Sequence, residues 1–258
     1  MIPLKSKSVS KNWDTTCRNL SSTVSSVTKQ TNRSFCSVVV GHDKPNFIDE
    51  LKTTDQCSFI HYDEFPPPID DACEADNQLR YEFDRCTKIL KGIIYLGKRH
   101  PDITHWFSLD ADDIISKNFV ETIARYKESD SIILEKGYVY FKSSGIINTE
   151  DEFSSYCGSS AVLSRKLFNE MPDEIDRSSY KLIPFGAISH VHMKLRLVEM
   201  GYSVSVPEER IVMYVRDNGE NISNAAYCNT FAKKIKKNIK MILKARKVSG
   251  AVKSRFGL

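Results

Sequence analysis

Two helical stripes in the first half of the chain each run into a strand-length apolar segment, and few folds accept that order. Trp13, Cys17, Leu20, Val24 and Val27 fall 4, 3, 4 and 3 positions apart, the period of one helix face. FCSVVVGHD (35–43) comes next: it is β-branched, short, and ended by polar residues and Pro45. With MIPLKS read as a strand ahead of the 11–30 helix, the chain opens with strand, helix and strand in about 40 residues, the βαβ unit of a parallel sheet.

SFIHYDEF (58–65) predicts a third strand, and PPPIDDACEADN (66–77) a loop, since three prolines cannot sit inside a helix or a central strand. Leu79, Phe83, Cys86, Leu90 and Ile93 form the second stripe, which runs to the break at residues 100 and 101. HWFSL then predicts a strand covered on both faces. Further on, Phe119, Ile123 and Tyr126 mark a helix, and SIILEKGYVYF (131–141) one strand. FSSYCGSSAVLSRKLF (153–168) is a small-residue loop leading into a strand or helix. Ile188, Val191, Leu195 and Val198 fall at helical spacing ahead of Gly201, and SVSVP and RIVMYVRD are extended.

HWFSLDADDII (105–115) ends its apolar run in Asp110, Asp112 and Asp113. Carboxylates this close repel unless a positive charge sits among them. At the carboxyl end of a strand in an open α/β sheet, Asp110 and Asp112 would point to one side if the chain is still extended there, with Asp113 turned away or reaching through water. Hard oxygen ligands suit Mg²⁺ or Mn²⁺ and leave positions open for a diphosphate. A plain loop with Ser116 capping the next helix leaves Asp110 unexplained. A calcium loop fits Asp110, Asp112 and Glu121 at positions 1, 3 and 12 but fails at Ile114 and Ile115. A haloacid-dehalogenase-like phosphotransferase also carries DxD after an apolar strand, though normally at the start of its domain.

The βαβ start, the helix end with Ser26, Val27, Gln30 and Thr31, and FSLDADDII near the middle resemble family 2 glycosyltransferases of the GT-A fold. RDNGENIS (216–223) adds to a likeness that spans roughly residues 1–223. The resemblance implies an α/β nucleotide-diphospho-sugar transferase fold, a mostly parallel central sheet flanked by helices, over residues 1–228. It implies a nucleotide-diphosphate sugar as donor and Mn²⁺ or Mg²⁺ as cofactor. Asp110 would face the ribose or metal-bound water, and Asp112 would be the direct metal ligand. Pro3 and Lys5, with His42 and Asp43, would lie where the family holds nucleobase and ribose. Asp84, Lys88 and Lys91 match the helix that reaches the nucleotide, and Tyr138 and CGSS (157–160) the contacts to sugar and acceptor.

Many family members carry a Glu-Asp pair whose Asp deprotonates the acceptor. Here SHVHMKLRL places His190 at that Asp, and no acid replaces it. A helix N-terminus disfavours the imidazolium, which would keep His190 or His192 neutral and able to take a proton or bind metal. On a regular helix the two point about 200° apart, so one would face the site; an extended segment would let both. The expectation is His190 as base and His192 as a metal ligand. The cation would neutralise the leaving diphosphate while the base helps the acceptor attack from the opposite face, which implies inversion.

With 41% hydrophobic and 27% charged residues, nothing marks the chain as fibrous or disordered. No apolar run approaches a membrane span, and MIPLKSKSVSK lacks a signal peptide's apolar middle, so the expected location is cytoplasmic. Seven cysteines, scattered and without a CxxC pair, argue against a disulfide framework or a zinc cluster. Residues 229–258 hold ten Lys or Arg and no acid, leaving 27 of the 37 basic residues against all 33 acidic ones. Phe231, Ile235, Ile239 and Ile242 run as an apolar line through this basic tail. That predicts an amphipathic helix at the inner membrane face, each Lys or Arg worth on the order of 1 kcal/mol near an anionic leaflet, and suits a glycan or lipid-linked acceptor. A helix packed on the acidic body is the alternative. A non-enzymatic binder of membrane or nucleic acid leaves the aspartates idle, and no nucleic acid is expected, because the acidic body would repel its backbone.

Overall fold

The computed structural model describes residues 1–258 except 54, 55, 70, 72, 169, 170, 173 and 221–244. Most of the expected tail helix, including its apolar line, lies outside the described residues. Among them, no helix is long and apolar enough to cross a membrane.

The first sheet is parallel: β1 (Ile2–Pro3) pairs with β2 (Ser37–Gly41), and β2 with β3 (Cys57–His61). Between β1 and β2 runs α1 (Trp13–Thr28), begun by Asn12, whose side chain accepts from Thr15 N at 2.9 Å. Between β3 and β4 (His105–Phe107) runs α2 (Glu74–Arg99). Every residue of β2 is buried because the two helices cover opposite faces. Val39 packs with Leu20, Val24 and Val27 of α1, while Val38 and Val40 pack with Ile89, Leu90 and Ile93 of α2. Fully burying each such side chain contributes roughly 1.5–3 kcal/mol. Gly92 lets α2 come close, since a Cβ there would stand 2.8 Å from Met1 Cγ and 3.2 Å from Val38 Cγ1.

Two bonds extend this sheet. Met1 N donates to Phe107 O at 2.8 Å and Leu109 N to Met1 O at 2.9 Å, a parallel pairing of Met1, just before β1, with Ser108, just after β4. They join β3-β2-β1 to β4, β9 (Ala161–Ser164), β6 (Ser131–Ile133) and β10 (Val204–Ser205), which lie in the order β10-β6-β9-β4. Here β9 runs antiparallel to both neighbours.

The second sheet has the order β12-β8-β7-β11-β5, from β5 (Ile114–Ile115), β7 (Gly137–Phe141), β8 (Ile146–Glu150), β11 (Val212–Arg216) and β12 (Arg246–Lys247). Only β7 and β11 are parallel in it. The protein is therefore α/β with mixed sheets flanked by helices, not the mostly parallel sheet expected. The cause is the connection: the chain leaves β6 through the β7–β8 hairpin and returns as β9 without a crossover helix, which only an antiparallel strand permits.

The expected single strand over 131–141 is two strands in different sheets. The chain breaks at Glu135 and Lys136; Glu135 O accepts from Phe153 N, and a Cβ at Gly137 would stand 2.3 Å from the Phe153 ring. Smaller helices complete the fold: α3 (Phe119–Ala124), α4 (Pro184–Ala187), α5 (Met193–Glu199) and α6 (Gly250–Phe256). On α5, Met193 and Leu197 are buried, whereas Val191, Leu195 and Val198 of the expected stripe are 43%, 59% and 55% exposed. The turn at His190–His192 is 3-10 rather than α, which rotates the register of α5 behind it. α6 lays Phe256 on Ile114, Ile147, Met213 and Val215.

Candidate functional site

Because β1 to β4 run the same way, their carboxyl ends share one rim, and Lys5, His42, Glu64 and Asp110 lie just past those ends. α2 passes behind it with Asp84, Arg85, Lys88 and Lys91.

After Leu109 the chain does not stay extended. Asp113 N donates to Asp110 O at 3.1 Å, closing a turn that sends the three carboxylates in different directions. Asp110 Oδ1 accepts from Arg85 Nε at 3.1 Å, and its backbone N donates to Ser159 Oγ at 2.9 Å. Asp112 Oδ2 accepts from Asn218 Nδ2 at 2.7 Å. Asp113 is turned inward with no exposed surface: its Oδ2 accepts from Ser159 Oγ at 2.7 Å and Cys157 Sγ at 3.2 Å, and its Oδ1 from Val215 N at 3.2 Å.

The electrostatics reflect that geometry. Burial, then the neighbouring charge of Asp110, push the Asp112 carboxyl up to about 6. Burial and both neighbouring aspartates push Asp113 well above the carboxylate range. Burial opposes the charge on Arg85, but Asp110 and Glu82 outweigh it and hold the guanidinium pKa above its usual value.

Asn218 comes from the segment after β11, where Asp217 and Gly219 take left-handed φ of 55° and 88°. The same turn brings in Glu220, which accepts from Lys5 Nζ at 2.9 Å and from the backbone N of Lys11 and Asn12 at 3.1 and 2.6 Å. Lys5 is thereby fixed beside the aspartate turn, where its charge draws the Asp112 pKa down.

At the other end of the rim, His42 Nε2 lies 3.0 Å from Phe65 O, and its Nδ1 lies 3.9 Å from Asp84 Oδ1. That Nδ1 and that Oδ1 are both buried and have no hydrogen-bond partner among the described residues. Burial, then Lys88, lower the His42 pKa. Asp43 accepts from Lys7 N at 2.7 Å, and Lys91 pairs with Glu64.

Several expected site residues serve the scaffold. Pro3 lies inside the sheet, in register with Val40. Lys88 has no exposed surface and donates to Leu4 O at 2.8 Å and Asp84 Oδ2 at 2.6 Å, tying α2 to the end of β1. Tyr138 stands away from the rim, its ring 5.7 Å from that of Phe256. The CGSS loop closes over the turn instead: Cys157 and Ser159 hold Asp113, and a Cβ at Gly158 would lie 2.9 Å from Arg85 Nη2 and 3.1 Å from Asp110 Oδ2.

The two histidines separate. His190 is close enough to Arg85, Asp110 and Glu82 to feel their charges; burial first, then Arg85, lower its pKa and favour the neutral ring. That cause is not the helix dipole expected, since His190 sits in a one-turn 3-10 segment ahead of α5. His192 is exposed and lines a surface cleft of about 400 Å³ with Ile188, Ser189, Arg196 and Met200. Among the described residues no three His, Cys, Asp or Glu side chains gather to hold a metal, so Asp110, Asp112 and His192 are not one ligand set. Asp110 and Asp112 are the partly exposed carboxylates of the turn, and so the ones whose oxygens could reach a cation at the rim.

The sequence points to 216–223 and 157–160 as segments but not to Arg85, Ser159, Asn218 or Glu220 as individual residues. No protein-family model matches this chain, and no curated protein is significantly similar to it.

Proposed function

We propose that this protein is a glycosyltransferase of the GT-A type, similar to family 2, that moves a sugar from a nucleotide-diphosphate donor to an acceptor hydroxyl with Mn²⁺ or Mg²⁺. The observation that carries the reading is the aspartate turn at the carboxyl rim of four parallel strands, with Asp110 and Asp112 beside Arg85, Lys5 and His190.

Asp112 and Asp110 are the residues that would hold the cation, which supplies positive charge to the leaving diphosphate. Lys5, fixed by Glu220, adds fixed positive potential at the phosphate end. His190, kept neutral by burial and Arg85, is placed to accept the proton of the attacking hydroxyl, which calls for inversion at the anomeric carbon. The acceptor is a glycan or lipid-linked hydroxyl, and the basic stretch 229–258 suits contact with an anionic membrane surface at its cytoplasmic face rather than nucleic acid.

Thermal shift with UDP, GDP, CDP and dTDP, each with and without Mn²⁺, tests the reading: one nucleotide should raise Tm, more with metal, and Asp112→Asn should abolish the metal-dependent part. If no nucleoside diphosphate stabilises the protein, the glycosyltransferase reading falls. A covalent phosphoaspartate at Asp110 would favour the haloacid-dehalogenase-like alternative instead.

A further inference from the structure

We propose that the groove between α1 and α6 is a saccharide-binding site, one that stands whether or not the protein is a glycosyltransferase. The groove encloses about 440 Å³, within the roughly 300–1,000 Å³ of small-molecule sites. Of the rim residues described above, Asp112 lines it, whereas Arg85, His42, Asp110 and His190 do not.

One wall is the polar side of α1. Ser21, Ser25 and, at the helix end, Lys29 are four positions apart, which stacks them in one row about 12 Å long. Their side chains make no hydrogen bond or ion pair among the described residues. A row like this on an open helix surface is simply hydrated, but here it is faced. Across it stand Tyr140 of β7 and Val215 of β11, opposite each other in register, and Phe256 and Gly257 at the end of α6. A Cβ on Gly257 would lie 3.7 Å from Lys29 Nζ, so the ammonium reaches across to α6 and bounds that end. At the other end Lys142 Nζ donates to Asn19 Oδ1 at 2.9 Å and keeps two further N–H groups, and Asp112 accepts from Asn218. The inner wall is apolar: Ile114, Val215 and Phe256 are buried in one cluster, and the Tyr140 ring packs against it. The Tyr140 hydroxyl has no hydrogen-bond partner among the described residues.

This mixture selects the ligand. Serine and tyrosine hydroxyls both donate and accept, the ammoniums only donate, and the carboxylate only accepts. A sugar ring offers the same mixture in return, hydroxyls around its edge and C–H groups on its faces for the apolar wall. A hydrocarbon ligand would desolvate the serines, lysines and Asp112 without giving them partners. A polyphosphate would need clustered cations, and here two separated ammoniums share the groove with a carboxylate. The row is longer than one sugar ring, so a short oligosaccharide fills it better than a monosaccharide.

The test is saturation-transfer NMR and titration of the full chain in metal-free buffer, with maltotriose, cellotriose, chitotriose and the matching monosaccharides. At least one trisaccharide should bind, more tightly than its monosaccharide, and inorganic phosphate at equal concentration should not displace it. Ser25→Leu fills the middle of the groove with a better helix former, and should weaken that binding by at least about tenfold. Tyr140→Phe should weaken it about two- to tenfold, the loss of one hydrogen bond. Arg18→Leu, at an exposed cation of α1 that does not line the groove, should leave it unchanged. The absence of saccharide binding, displacement by phosphate, or native binding by Ser25→Leu overturns the proposal. An equal loss in Arg18→Leu and Ser25→Leu also overturns it, because diffuse attraction to the surface would then explain the binding. If Ser25→Leu does not fold by circular dichroism, Ser21→Leu carries the same comparison. Failure here leaves the nucleotide test of the enzyme reading untouched, and failure of that test leaves the groove as it is.

Discussion

Two sides of one turn treat their aspartates differently. On the inner side, Asp113 is sealed against the 157–160 loop and β11 and receives Ser159, Cys157 and Val215 N. On the rim side, Asp110 and Asp112 are partly exposed and receive mainly Arg85 and Asn218. Neighbouring residues of the same type therefore do separate work: Asp113 supplies the join between the sheets, and the other two supply charge. The fully enclosed acid is the one with three donors turned on it from the 157–160 loop and β11; the rim pair meets the solvent.

The contrast breaks first at Asp113. Asp113→Ala takes away the acceptor of the Ser159 hydroxyl and of the Val215 N bond at 3.2 Å and empties a buried site, and should cost about 3–5 kcal/mol in urea unfolding. If the cost is under about 1 kcal/mol, the inner carboxylate is not holding the sheets together. Next is Asp112→Asn, which should stay folded and lose roughly 100- to 1000-fold in sugar transfer, the scale of removing one electrostatic contact to a transition state.

The same variant sharpens the comparison through pH. The Asp112 pKa rises from 3.8 unfolded to about 6 folded, so its favourable contribution is complete below 3.8 and is lost as pH rises through about 6. In metal-free buffer Asp112→Asn should therefore gain on the native protein above pH 6 by up to about 3 kcal/mol, and the gain should vanish near pH 4. Adding Mn²⁺ at pH 7.5 should raise the native Tm and not the variant's. An Asp112→Asn protein that gains nothing on the native protein across that range would mean that burial does not disfavour the Asp112 carboxylate. The smallest effect is at Ser159, which accepts from Asp110 N and donates to Asp113 Oδ2. Ser159→Ala should cost about 1–2 kcal/mol and weaken nucleotide binding only slightly, since it adjusts the turn without touching ligand.

Much of this was legible in the residues. The stripes of α1 and α2, the β-branched run of β2 and the strand ending in carboxylates all stand where their periodicity put them, because each is a local pattern repeated over many positions. Asp113 does face away from Asp110 and Asp112, but through a turn after Leu109 and not through the extended chain the expectation assumed. What escaped depends on rotation or on distant chain. Arg85 sits one place from Asp84, and a single residue on a helix changes the face completely. Asn218 and Glu220 reach the rim across more than a hundred positions, through backbone that only Asp217 and Gly219 bend. The split at residues 134–136 comes from the Phe153 ring against Gly137, a packing fact with no periodicity to announce it. The exposed Val191, Leu195 and Val198 show that spacing alone marks a helix face without saying which way it turns.

The seam between Met1 and residues 107–109 ties positions 106 apart in the chain, through a strand only two residues long. Loop closure of that length comes late in collapse, so the acidic corner should be among the last parts to acquire its native shape and among the first to open. Hydrogen exchange of the Leu109 amide would register that opening before the amides of Val39 or Leu90 begin to trade their protons.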